Sequence, residues 1–432
     1  MNYPDSVRFL YSLGNERKTV KFGLERIRTV LDALGNPHRL TKFVHVAGTN
    51  GKGSTCAMIE SALRAKGSLT GLYTSPHLLS PTERIRIAGA EVSEERFAGA
   101  FRCVHEKAEE LLESGAIDYH PTYFETVTAM AFLLFAEARV DIAVLEVGLG
   151  GRLDATNVVE PALAVITPVE FDHEGYLGTS LASIAAEKAG ILKAGVPAVF
   201  ARQRPEALEV LTARAAELGV EVAGSASAED VELHARGSRF KVEGVQVECP
   251  LAGEHQVENA LSAVAALRCL RVPDAAIEAG IRGVRWPGRL EWISEAPEIV
   301  ADGAHNPSGA RALAAYIGRF YANRRVRLIY GTMRDKAVEE IAGTLFTRAH
   351  EVILTAPKQP RSLRPEALRD STDHPRVRIA ADLAAALDMV RDAPPEDVVF
   401  IAGSLFLVAE ALELRAAGDA ADKGPGGQSR ST

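Results

Sequence analysis

Apolar, β-branched runs bounded by glycine recur along this chain and alternate with stretches whose apolar positions fall three and four apart. That alternation predicts strands and helices in turn, the pattern of an α/β fold in which helices cover a mostly parallel sheet. The candidate strands are residues 43–47, 142–147, 163–167, 198–201, 299–302, 326–330, 351–355 and 398–402. A helix pattern over 257–270 leads into Gly283-Val284-Arg285-Trp286-Pro287-Gly288-Arg289, where Pro-Gly breaks regular structure. A hinge is therefore expected near 292–297, between a domain over 1–293 and a smaller, doubly wound α/β domain over 294–418. Residues 239–249 alternate apolar and polar positions around Glu243-Gly244, which predicts a small hairpin appended to the main sheet. Residues 419–432 carry Gly, Ala, Asp and Ser without apolar periodicity and are expected to form a flexible tail.

Composition adds exclusions. The 432 residues exceed what one core usually serves, which supports two domains. A net charge of -8 argues against a nucleic-acid partner. Cys56, Cys103, Cys249 and Cys269 lie too far apart for a zinc or redox pair and fit a reducing compartment. The N-terminus lacks the basic-then-apolar pattern of a signal peptide, and the apolar run 129–136 is too short to span a bilayer. These features set the expectation of a cytoplasmic protein with no membrane partner.

The chemistry starts after the first candidate strand. Val44-His45-Val46-Ala47 runs into Gly48-Thr49-Asn50-Gly51-Lys52-Gly53-Ser54-Thr55 and then a helix pattern over 56–66. Strand, glycine loop and helix stand in the order that phosphate binding needs. Glycines let backbone N–H groups converge on phosphate oxygens, the helix N-terminus favours negative charge, and Lys52 supplies a point charge. Ser54 or Thr55 can hold magnesium. A glycine between Lys52 and the hydroxyl residue departs from the common Walker spacing.

That loop resembles the phosphate loop of the Mur ligase superfamily. Thr74-Ser75-Pro76-His77-Leu78, the segment from Glu146 through Gly148-Leu149-Gly150-Gly151-Arg152 to Asn157, Glu187-Lys188-Ala189-Gly190-Ile191, Trp286-Pro287-Gly288-Arg289-Leu290-Glu291 and Asp302-Gly303-Ala304-His305-Asn306-Pro307 are similar to signatures of folylpolyglutamate synthase and bifunctional dihydrofolate synthase. With only 47 residues before Gly48, the chain is expected to lack the nucleotide-sugar domain of the peptidoglycan ligases. The resemblance implies a P-loop ATP-binding domain and a C-terminal glutamate-ligase domain, with catalysis between them. The implied reaction joins L-glutamate to a pteroate or folate carboxylate through an acyl phosphate, in a monomer with small-molecule partners. A P-loop ATPase that drives a conformational change is the reading from another class, and it predicts ATP turnover without organic substrates.

Site residues follow from both sources. Glu146 closes a strand at the sheet's carboxyl edge and reads as a magnesium ligand or as a carboxylate capping the glycine loop behind it. His173 reads from its own context as a structural histidine, since magnesium prefers oxygen; the resemblance makes it a second-metal ligand with Glu146 and Ser75. Lys188 lies in a helix pattern over 181–193, where a solvated lysine is the plain expectation and a carbamylated lysine beside two magnesium ions is the implied one. The resemblance gives Asn259, Arg289 and Asp302 to the nucleotide, together with Gly48, Thr49, Asn50, Gly51, Lys52, Gly53 and Ser54. It gives Lys52, Lys188 and His305 to catalysis, with His305 in the phosphate or glutamate region. Asn306 before Pro307 reads as a helix cap. For the pterin it points to Phe22, Gly23, Leu24, Phe124, Asp154 and Ala155, although Phe124 also reads as a core aromatic. Ser404 is implied as a glutamate contact, with a helix cap as its rival.

Overall fold

The computed structural model describes residues 1–13, 23–224, 226–334 and 336–422, with side chains through 418. The chain divides into two compact units. The first comprises Met1–Leu233, Gly237–Pro250 and His255–Arg285; the second comprises His234–Arg236, Leu251–Glu254 and Trp286–Thr432. The long second segment thus starts at Trp286, ahead of the hinge expected at 292–297, because that stretch is itself a strand hairpin.

Eight strands form the sheet of the first unit: β1 (Lys42–Ala47), β2 (Thr70–Tyr73), β3 (Ile85–Ile87), β4 (Ala90–Glu91), β5 (Ile142–Glu146), β6 (Leu163–Ile166), β7 (Ala198–Phe200) and β8 (Val222–Gly224). Their order is β4-β3-β2-β5-β1-β6-β7-β8, parallel from β2 to β8 and antiparallel at the β3 and β4 edge. β1, β5 and β6 are buried almost throughout, so they read as continuous apolar runs. Because β1 lies between β5 and β6, with Val46 beside both Glu146 and Val165, the loops after these three strands leave the same edge of the sheet together. Ligands of α/β sheets bind where neighbouring connections diverge in this way.

The hairpin expected over 239–249 is present as β10 (Gly237–Val242) and β11 (Val245–Cys249). It is not appended to the main sheet: with β9 (Glu229–His234) it forms a separate three-stranded sheet. The second unit has β12 (Glu291–Glu295), β13 (Glu298–Ala301), β14 (Arg325–Tyr330), β15 (Glu351–Leu354), β16 (Val377–Ile379) and β17 (Asp397–Ala402) in the order β12-β13-β17-β14-β15-β16. Only the β12–β13 pair is antiparallel. The last helix, Leu405–Asp422, continues into the segment expected as tail, and residues 423–432 lie outside those described.

The helix behind the glycine loop, Lys52–Ala65, is held by a second helix, Asp274–Arg282, at very close range. Ser61 Oγ donates to the Gly280 carbonyl at 2.8 Å, and a Cβ on Gly280 would lie 2.2 Å from Ala62 Cα. Gly280→Ala should therefore force the two backbones apart and cost about 1–3 kcal/mol, the usual range for overpacking a filled core. A lowered urea midpoint checks this; an unchanged midpoint would show that the helix pair has room to spare.

Candidate active site

The turn after β1 is possible only because two of its residues lack a Cβ. Gly48 and Gly51 take φ of 148° and 81°, in the left-handed region, and a Cβ at either would lie 1.8 Å from Thr167 Oγ1 or 2.0 Å from Asn259 Oδ1. Thr49 then stitches the loop to the strand end beside it. Its N–H donates to the Pro168 carbonyl at 2.9 Å, its hydroxyl donates to the Glu170 carbonyl at 2.9 Å, and Glu170 N–H donates back to that hydroxyl at 3.0 Å. Asn50 is half-buried on the same turn.

Lys52 opens the helix, with Gly51 as its N-cap, so the first-turn N–H groups of Lys52, Gly53 and Ser54 and the positive end of the helix dipole lie at the loop. The Lys52 ammonium donates to the Thr49 carbonyl at 3.0 Å, folded over the loop it would share with a phosphate. Buried Ser54 accepts from Gln256 Nε2 at 3.3 Å, and Gln256 Oε1 accepts from Asn259 Nδ2 at 3.0 Å. Gln256 is a site residue that the sequence reading missed. It stands three residues before Asn259 on one helix, so the i,i+3 spacing was the available signal.

Lys188 overturns the plain expectation of a solvated lysine. Its helix, Leu181–Ala189, ends short of 193, and the side chain is only 4% exposed. Its Nζ donates to the Gly48 carbonyl at 2.8 Å. Burial foremost, then the nearby Lys52 charge, pull its pKa down, and Asp172 and Asp154 partly oppose them, leaving it at about 7. Gly151 lets the loop after β5 run against this helix end: Arg152 N–H donates to the Glu187 carbonyl at 2.8 Å, where a Cβ on Gly151 would lie 2.6 Å from the same oxygen.

Glu146 ends β5 with its side chain buried, and Oε2 accepts from the Ser75 backbone N–H at 3.1 Å. The structure thus brings Ser75 and Glu146 together through the backbone of Ser75. His173 caps the short helix Glu174–Leu177 with φ of 54°, and its ring is partly exposed, with Nε2 3.9 Å from Asp172 Oδ1. The bonds between Thr49 and Glu170 hold the segment leading to His173 beside the glycine loop. The carboxylate of Glu146 and the hydroxyl of Ser54 are oxygen donors of the type magnesium prefers, so the donor set fits that ion.

Phe124 is buried in the helix Tyr123–Glu137, with its ring centroid 5.9 Å from that of Tyr73. Its ring also fills the space over the turn after β5: a Cβ on Gly148 would lie 2.5 Å from Phe124 Cζ. Asp154 is buried, and burial raises its pKa. It accepts from Leu149 N–H at 2.9 Å, Thr156 N–H at 3.0 Å and the Thr156 hydroxyl at 2.5 Å, which closes the loop after β5 onto the short turn Ala155–Val158. Ala155 is buried on that turn. Gly23 is half-buried, and Leu24 packs into the core before the helix Glu25–Ala33. Phe22 lies outside the described residues.

In the second unit, Asp302 follows β13, and its two carboxylate oxygens accept from Leu290 N–H at 3.0 Å and Ala304 N–H at 2.9 Å. Arg289 donates from Nη1 to the Gly288 carbonyl at 3.0 Å. His305 Nδ1 donates to the Gly303 carbonyl at 2.7 Å, since a carbonyl can only accept. Asn306 caps the helix Pro307–Phe320, as its sequence context implied. Ser404 Oγ accepts from Phe406 N–H at 3.1 Å at the start of the helix Leu405–Asp422, so a cap role is present whatever else it does.

Comparison with known proteins agrees with this layout. Residues 46–267 match the Mur ligase middle domain, and residues 288–405 match the Mur ligase, glutamate ligase domain. A dihydrofolate synthase/folylpolyglutamate synthase of Bacillus subtilis is 34% identical over 94% of this chain and 98% of its own length. A probable bifunctional folylpolyglutamate synthase/dihydropteroate synthase of Haloferax volcanii is 39% identical over 95% of this chain, which spans 50% of that larger protein. The solved structure of Mycobacterium tuberculosis folylpolyglutamate synthase complexed with ADP and AMPPCP superposes with a TM-score of 0.89 at 34% identity, covering 96% of this chain and 99% of its own. That of E. coli FolC in complex with DHPP and ADP gives 0.86 at 33% identity over 97% and 99%. Among the described residues no helix is long and apolar enough to cross a membrane.

The buried lysine has a measurable signature. With a folded-state pKa near 7 against 10.5, Lys188 binds fewer protons folded than unfolded between those values, so its contribution to stability is least favourable below about pH 7 and improves as pH rises towards 10.5. In carbon-dioxide-free buffer, the stability of the parent relative to Lys188→Met should climb across that window. Urea titrations that run parallel for the two proteins would refute the shifted lysine.

Proposed function

Since this chain belongs to the folylpolyglutamate synthase/dihydrofolate synthase family of Mur ligases, we propose that it uses ATP to join L-glutamate to a pteroate or folate carboxylate through an acyl phosphate. The observation that supports this reading most directly is the glycine turn at Gly48 and Gly51, wedged against Thr167 and Asn259 with Lys52 at the first helical position. Such a turn presents backbone N–H groups and one cation to a phosphate chain.

A carboxylate is a poor electrophile because hydroxide is a poor leaving group. Transfer of the γ-phosphoryl group to a carboxylate oxygen forms a P–O bond, breaks the bond to ADP and converts the acid to an acyl phosphate. The glutamate amine then attacks the carbonyl carbon, loses a proton, and the tetrahedral intermediate expels phosphate. Gly48 through Ser54 orient the phosphates, and Lys52 exchanges the Thr49 carbonyl for a phosphate oxygen, so its charge is placed where negative charge moves. Two bound magnesium ions, one held by Ser54 and Glu146 and one by Glu146, Ser75 and His173, would neutralise phosphate charge. Gln256 and Asn259 keep the loop helix in register with the nucleotide side. Phe124, Asp154 and Ala155 lie around the turn after β5 and are assigned to the pterin, as Gly23 and Leu24 are; Arg289 and Asp302 are assigned to nucleotide, and His305 and Ser404 to the phosphate and glutamate end.

Lys188 completes the reading as a carbamate. An ordinary lysine is almost wholly ammonium at neutral pH, whereas one near 7 is substantially free amine. Its nitrogen can attack carbon dioxide, forming a C–N bond and releasing a proton to solvent. The carbamate nitrogen keeps one hydrogen, enough to preserve the bond to the Gly48 carbonyl, and its oxygens suit a hard cation.

Two experiments test this. ADP release measured against a panel of pteroates and folates should require both the pterin acid and glutamate, and Lys52→Ala should lower it by about a hundredfold or more, the scale of losing a charge-stabilising group, with an unchanged circular-dichroism spectrum. ATP turnover indifferent to both organic substrates would favour a P-loop ATPase instead. For the carbamate, labelling with 13C-bicarbonate should give a carbonyl resonance that Lys188→Ala lacks, and Lys188→Arg should be inactive although it keeps the charge. A fully active Lys188→Arg without the resonance would remove the carbamate and leave the ligase reading intact.

A further inference from the structure

The first unit carries a second cluster of ligating side chains that the reaction above does not use. His105 and Glu109 stand one turn apart on the helix Glu94–Glu113, and His120 comes from the segment that leads into the helix Tyr123–Glu137. Among the described residues, these three form the one group of histidine, cysteine or carboxylate ligand atoms that converge within 4.8 Å. His105 Nδ1 and His120 Nε2 are 3.2 Å apart, and Glu109 Oε1 lies 3.8 Å from the first and 3.9 Å from the second. A triangle with these edges has a centre about 2.1 Å from every corner, inside the range of about 2.0–2.2 Å for zinc bound to imidazole and carboxylate.

The hydrogen bonding around His120 points the same way. Its Nδ1 sits 2.9 Å from the Pro121 carbonyl, which can only accept, so Nδ1 carries the hydrogen and Nε2 presents a lone pair to the centre of the triangle. An imidazole whose second nitrogen donates to a backbone carbonyl is the usual arrangement of a metal-binding histidine, because that bond fixes the tautomer and the ring plane. A carboxylate oxygen facing that lone pair calls for positive charge between them. A proton can satisfy one edge of the triangle, whereas a metal ion contacts all three corners. The rings are also held in place: Phe9 packs on both imidazoles, at 4.5 and 5.4 Å between centroids, and Phe101 stacks on His105 at 5.4 Å. Glu109 is half-exposed, which gives an ion a way in and leaves a fourth position to solvent.

We infer that His105, Glu109 and His120 form a binding site for a divalent transition-metal ion of the zinc type, separate from the phosphate loop. On binding, His105 carries its hydrogen on Nε2 and its Nδ1 joins the ion. The site ties one long helix to the start of the next, two residues before Thr122, whose hydroxyl and backbone make a capping box with Glu125. Its role is a clamp on the start of the helix that carries Phe124.

The test uses the full chain, stripped with a chelator and kept in excess magnesium so that the hard-cation sites are filled. Titration with cobalt(II) should give the visible absorption of a tetrahedral nitrogen and oxygen site, and titration with zinc should show one equivalent bound and a higher melting temperature. His120→Gln should abolish both signals, and Glu109→Gln, an exposed and conservative change, should weaken zinc binding about tenfold or more, the scale at which a metal site loses affinity when one supporting group is lost. No uptake by the parent at stoichiometric zinc would overturn the site. So would unchanged uptake by His120→Gln, which would move the ion elsewhere, and unchanged affinity in Glu109→Gln would remove the carboxylate and with it the three-ligand assignment.

Discussion

The hydrogen bond from buried Lys188 to the Gly48 carbonyl is the contact that the phosphate-loop side of the first unit is built to hold. A lysine nitrogen taken out of water needs a partner or a lowered pKa, and here it has both. Neither end can drift. The loop end is fixed because Gly48 is pressed against Thr167 and Thr49 is bonded to Pro168 and Glu170. The helix end is fixed because Gly151 lets the loop after β5 lie directly on the Glu187 carbonyl. The three loops that leave the sheet after β1, β5 and β6 are thereby braced against one another, and a side chain on any of them is positioned by the other two.

How much of this was legible depends on what each segment buries. The eight strands expected from apolar runs are all present within about a residue at each end, because strands buried on both faces leave continuous runs that nothing in the sequence disguises. β2 escaped notice. It reads Thr70-Gly71-Leu72-Tyr73, and glycine inside a strand usually signals a break. The structure gives the reason: a Cβ on Gly71 would lie 2.8 Å from the Phe135 ring and 2.9 Å from Ala143, so the strand can pack only without one. β16, three residues long, is too brief for a pattern.

In the site the glycine loop was legible because its demand falls on the backbone, and glycine is the residue type that answers it. Side-chain roles were harder. Lys188 sits in a helix whose sequence gives no sign of which face is buried, since alanines surround it. Asp154, Asp302 and Ser404 have the residue types of ligand contacts, yet each has backbone N–H groups to accept first. Gln256 was passed over and is the link between Ser54 and Asn259. In each case the deciding fact is which backbone donor lies within reach, and that is set by tertiary packing.

The loop's Lys52 and the helix's Lys188 would also constrain the order of events in the proposed reaction. Burial and the Lys52 charge lower the tendency of Lys188 to hold a proton, so before a phosphate arrives the buried lysine is an amine that is readily freed. A polyphosphate brought to Gly48 through Ser54 reverses that bias, because its negative charge favours the ammonium form of every nearby lysine. An amine that is to react with carbon dioxide therefore does so best while the loop is empty. Once formed, the proposed carbamate would be an anion beside anionic phosphate, and that arrangement would hold only with cations between them. Lys52 supplies one positive charge and Glu146 none, so the proposed carbamate would call for the hard metal ions that the surrounding oxygen donors fit.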